Sequence, residues 1–124
     1  MAALPPLLEH HFRFPRHAGD PSGADALGRG RNAACGDELE LGLWVARGLV
    51  REVRFRARAC SATLATASLV GERLAGATVE EARALDLGQL LAAAGGLPRG
   101  RGHARAVVQR ALEQALSGLG TRYP

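Results

Sequence analysis

Lysine is absent from this chain of 124 residues, and cysteine nearly so: all sixteen basic side chains are arginine, and only two thiols occur. Two cysteines cannot form the dense disulfide framework of a small secreted protein. A chain of this length buries enough surface to fold without one. Aromatic residues make up 4% of the sequence, too few for the stacking platforms of single-stranded nucleic-acid binders. No apolar run reaches the ~18 residues of a membrane span. The opening "MAALPPLLEHHFRFPRH" has no basic leader region, and two prolines break its short apolar stretch, so it does not read as a signal peptide. The expectation is a cytoplasmic protein with reduced thiols. The net charge of +4 and the excess of Ala, Gly, Leu and Arg fit a GC-rich coding sequence, so the basic balance is weak evidence for nucleic acid. No catalytic triad, phosphate loop or acid–base carboxylate pair is present, and no enzyme is expected.

What is present fits one domain over residues 1–124, with its core from about 8 to 118. Pro5 and Pro6 suit the first turn of a short helix that ends before Pro15. "GDPSGADALGRGR" (19–31) is rich in glycine and reads as a mobile loop, with a third strand inside it left open by the pattern. From Asp37, leucines alternate with polar residues. "ARGL" then makes a turn, and Val53, Phe55, Ala57 and Ala59 alternate with Glu52 and three arginines. This is a β-hairpin with one apolar and one charged face. After Ser61, placed to cap, the pattern becomes helical and runs to Gly76. Thr78 and Glu81 make a capping box, and Asp86 opens another short helix. Ala104, Val107, Val108, Ala111, Leu112, Ala115 and Leu116 mark the apolar stripe of a last helix. The order predicts an α+β fold, a small antiparallel sheet with helices packed on one face.

Cys35 precedes the first clear strand and Cys60 follows the second, each about twelve residues from the hairpin turn. The two therefore meet at the open end of the hairpin. Cys60 also stands at a helix N-terminus, where the helix dipole favours thiolate. Asp37 adds an oxygen donor, and His103, near the start of the last helix, a nitrogen. Cys35, Asp37, Cys60 and His103 together make a tetrahedral donor set suited to zinc or iron. By pattern alone, two unrelated core thiols remain the plain alternative. Arg51, Arg54, Arg56 and Arg58 line one strand face; a solvated face or an acidic partner explains them better than nucleic acid. His10, His11 and His17 fall outside the donor set, with His11 read as packed. Trp44 lies on the polar side of its strand, as a partner surface or beneath a covering element.

Four segments resemble the iron–sulfur cluster assembly scaffolds of the IscU, SufU and NifU N-terminal type. "HHFRFPRHAG" is similar to that family's "HY.NPRN.G", and "AACGDELEL" to "PACGD" entering a strand. "ARACSATLATASL" resembles "FGCGSAIASSSL", and "LPRGRGHARAVVQRAL" falls where the family has "LPP.K.HCS..AE.AI". The resemblance implies a scaffold that binds a metal ion or a labile Fe–S cluster, such as [2Fe–2S], through Cys35, Asp37, Cys60 and His103. It implies a cysteine desulfurase and Fe–S acceptor proteins as partners, while the composition and hydropathy point to neither nucleic acid nor membrane. The family's third cysteine is Ala104 here, and the segment used for chaperone docking in the IscU branch reads Leu97, Pro98, Arg99, Gly100, Arg101. A degenerate paralogue that docks on an assembly protein as an adaptor is the alternative these departures leave open.

Overall fold

A computed structural model describes residues 3–120; residues 1–2 and 121–124 of the expected domain lie outside the described part. The elements are α1 (Pro6–Arg13), β1 (Ala26–Asn32), β2 (Asp37–Ala46), β3 (Leu49–Arg58), α2 (Ser61–Leu74), α3 (Val79–Arg83), α4 (Leu87–Ala93) and α5 (His103–Leu119). The three strands form an antiparallel sheet in the order β1-β2-β3. Alternation sorts its two faces. Leu39, Leu41, Leu43, Val53 and Phe55 point inward and are fully buried, while Glu38, Arg54, Arg56 and Arg58 point outward. Helices α5 and α2 cover the inner face, as the expected α+β architecture requires.

The hairpin turn is Arg47-Gly48, with φ of 54° and 74°. Two positive values in succession fit a two-residue connection whose twist matches the strands. Residues 26–31, expected to be loop, belong to β1 instead. Their pattern was hard to see because the inward positions are Ala26, Gly28 and Gly30, which carry almost no apolar signal. The reason for the glycines lies in the packing: a Cβ on Gly28 would sit on the Ala111 carbonyl, and one on Gly30 on the Val107 carbonyl. Helix α5 crosses β1 backbone to backbone, which only glycine permits there.

The stripe expected on the last helix is buried in α5 from Ala104 to Ala115. Helix α2 is buried on nearly all sides, and its small side chains allow α1, α5 and β3 to approach closely. His11 fixes α1 against it: its Nδ1 lies 2.7 Å from the Ser68 Oγ, which also accepts the Arg16 N–H at 2.7 Å. Trp44 is half-buried, with the Arg54 guanidinium 5.2 Å above its ring.

Candidate metal centre

Asp37 is the first residue of β2, and Cys60 the second after β3. The pairing of Glu38 with Arg58 brings these two ends side by side. His103 opens α5 directly above them. The His103 Nε2 lies 3.4 Å from the Cys60 Sγ and 3.2 Å from the Asp37 Oδ2. One sulfur, one oxygen and one nitrogen donor thus stand within 4.8 Å of one another. Three such donors are what a tetrahedral ion takes from a protein when its fourth position comes from elsewhere.

Asp37 is 3% exposed, and both its oxygens are engaged. The backbone N–H of Cys60 donates to Oδ1 at 3.2 Å, and the Thr63 hydroxyl donates to Oδ2 at 2.7 Å. Burial alone would push the carboxyl pKa up. The hydrogen bonds from Thr63 and Cys60, with the nearby His103, outweigh it and hold the pKa below its ordinary value. Asp37 is therefore an anion in the folded protein at neutral pH.

The N-cap of α2 is Cys60, with an extended backbone and no side-chain cap of its own. Ser61, expected as the cap, is instead the first helical residue. The carboxylate of Asp37, twenty-three residues earlier, accepts the Cys60 N–H, the bond that an N3 side chain makes in a capping box. The thiol thus sits at the positive end of a fourteen-residue helix.

Cys35 stands apart from this trio. It is exposed on the turn between β1 and β2, its N–H held by the Asn32 carbonyl and side chain, ahead of Gly36 at φ 73°. The turn lies at the same end of the sheet as Asp37, so the hairpin geometry does bring both cysteines to one end. Ala104, where the resemblance places a third thiol, is fully buried. His10 rests against Phe14 and His11 is buried under α2; neither joins the trio. On the outer sheet face Arg56 pairs with Glu40 and Asp20, and Arg54 with Glu52. Thr63 was not anticipated. Its signal is a hydroxyl one helical turn beyond Cys60, at the place where a capping-box residue would stand.

Fold and site together define an α+β domain that gathers a thiol, a carboxylate and an imidazole at one end of its sheet. The family model of the NifU-like N terminal domain matches residues 7–123, and the chain belongs to that family. It is 35% identical over 119 residues to the bifunctional protein NifU/MnmA of Rubrobacter xylanophilus, covering 94% of this chain but only 24% of that protein. It is 32% identical over 106 residues to the iron–sulfur cluster assembly scaffold protein IscU 1 of Archaeoglobus fulgidus, covering 86% and 69%. Among solved structures, a SUF-system cluster assembly scaffold protein from Fervidobacterium islandicum shares the fold with a TM-score of 0.71 at 18% identity, over 90% of this chain and 94% of that one. A NifU-like N-terminal domain from Brucella abortus does so with 0.60 at 20% identity, over 94% and 82%.

Proposed function

We propose that this chain is a scaffold of iron–sulfur cluster assembly, holding a metal ion or a labile cluster through Asp37, Cys60 and His103, with Cys35 as a fourth donor. The observation that carries this reading is the convergence of three chemically different donors from three separate elements. Membership of the NifU-like family, with IscU and NifU proteins among its relatives, supports the nature of the cargo. The protein acts as a carrier, not a catalyst. It works in the cytoplasm, receives sulfur with the help of a cysteine desulfurase, and hands its cargo to acceptor proteins. Two thiolates, a carboxylate and an imidazole suit a single zinc or iron ion, and hold a [2Fe–2S] unit less firmly than a set richer in thiolate would.

A second reading has its own observation. Ala104 places a packed methyl group where the resemblance puts a thiol, which favours an adaptor that kept the fold and a docking surface without the cargo. The two separate on anaerobic purification without a metal-binding tag, followed by measurement of zinc, iron and sulfide per chain before and after reconstitution. The scaffold reading expects near-stoichiometric metal, lost in Cys60→Ala and His103→Ala and reduced in Cys35→Ala. Metal no higher in the native chain than in these variants overturns it in favour of the adaptor.

A further inference from the structure

Helix α2 carries three buried hydroxyls that are fully shielded from solvent, on Thr63, Thr66 and Ser68. Thr66 bonds the Ala62 carbonyl within its own helix, and Ser68 serves His11 and the Arg16 N–H. Thr63 turns to the donor trio, 2.7 Å from the Asp37 Oδ2 and 3.6 Å from the Cys60 Sγ. One hydroxyl has one proton to give, and the shorter contact takes it.

We infer that Thr63 is a positioning residue that fixes which oxygen of Asp37 meets the metal, and so how tightly the site holds it. This rests on reading the trio as a metal centre. A free carboxylate turns about its last bond and offers either oxygen. Here Oδ1 is held by the Cys60 N–H at the head of α2, and Oδ2 by Thr63. With both oxygens tied, the group cannot rotate. Oδ2 retains acceptor capacity and faces His103 at 3.2 Å, so it is the oxygen available to an ion shared with Cys60 and His103. Thr63 is itself held in place by complete burial and by its bond to Asp37. Partners that orient ligating side chains in this way are worth about 10–100-fold in metal affinity.

Cobalt(II) titration of the full chain under anaerobic conditions tests this. The charge-transfer band of bound thiolate reports Cys60, together with Cys35 as fourth donor, and the ligand-field bands report the geometry around the ion. Thr63→Ser is expected to match the native chain in affinity and spectrum. Thr63→Val is expected to bind about 10–100-fold more weakly, with shifted ligand-field bands and the thiolate band retained. A melting curve of each metal-free variant separates folding from binding. If Thr63→Val does not melt cooperatively, Thr63→Ala is titrated in its place. Native-like affinity and spectrum in the variant without a hydroxyl overturn the inference and leave the metal centre standing. Failure of Thr63→Ser alongside Thr63→Val also overturns it, because the hydroxyl is then not what matters. If the native chain takes up no cobalt, the metal centre falls, and the role of Thr63 with it.

Discussion

Gly28 and Gly30 have no room for even a methyl group, because carbonyls of α5 occupy the space. Gly30→Ala must push α5 off the sheet, and overpacking of this kind costs about 1–3 kcal/mol. The expected result is a lower urea midpoint at unchanged m-value. Asp37 gives a prediction in pH. Its folded pKa lies below the ordinary 3.8, held there by hydrogen bonds that overcome burial. The stability it contributes is complete above that ordinary value and is lost as pH falls through the lower folded one. In metal-free protein, urea midpoints between pH 6 and pH 3 should fall for the native chain. Asp37→Asn should start lower and show a shallower acid decline.

At the scale of elements, two short helices are held by a few polar contacts each. The capping box of α3 is complete: the Glu81 N–H donates to the Thr78 hydroxyl, and the Thr78 N–H to the Glu81 carboxylate, both at 2.9 Å. The same turn is tied to the β2–β3 hairpin, where the Val79 N–H reaches the Gly48 carbonyl at 2.9 Å. Thr78→Ala should cost about 1 kcal/mol, read as a lower melting temperature. Helix α1 depends on His11. Burial, partly opposed by Glu72, holds its pKa below the ordinary 6.5. The neutral ring belongs to the folded state, so its contribution is complete above pH 6.5 and fades as pH drops below it. Glu72→Gln removes the opposing carboxylate, and should steepen the loss of stability between pH 7.5 and 5.5.

For the molecule as a whole, the donors come from the start of β2, the head of α2 and the first turn of α5. An ion shared among them binds the folded chain and not the unfolded one. Zinc at a hundredfold excess over its dissociation constant should therefore add about 2.7 kcal/mol. That corresponds to a rise of roughly 10 °C in melting temperature. Chelator should reverse the rise, and Cys60→Ala and His103→Ala should abolish it. Among the described residues no helix is long and apolar enough to cross a membrane.

The local features were set by the sequence. Alternating leucines made β2, Arg47-Gly48 made its turn, Thr78 and Glu81 made a cap, and a seven-residue apolar stripe made α5. Each is a short-range pattern, written in neighbouring side chains and read without knowing what they pack against. Hairpin geometry also foretold that both cysteines gather at one end of the sheet. Only the tertiary structure decided the rest. Strand β1 was concealed because its inward residues are glycines, chosen for the closeness of a helix eighty residues away. The cap of α2 was misplaced because the capping carboxylate comes from another element. Thr63 and the separation of Cys35 from the trio follow from how β2, α2 and α5 meet. Such contacts join distant segments, and no window along the chain contains both partners.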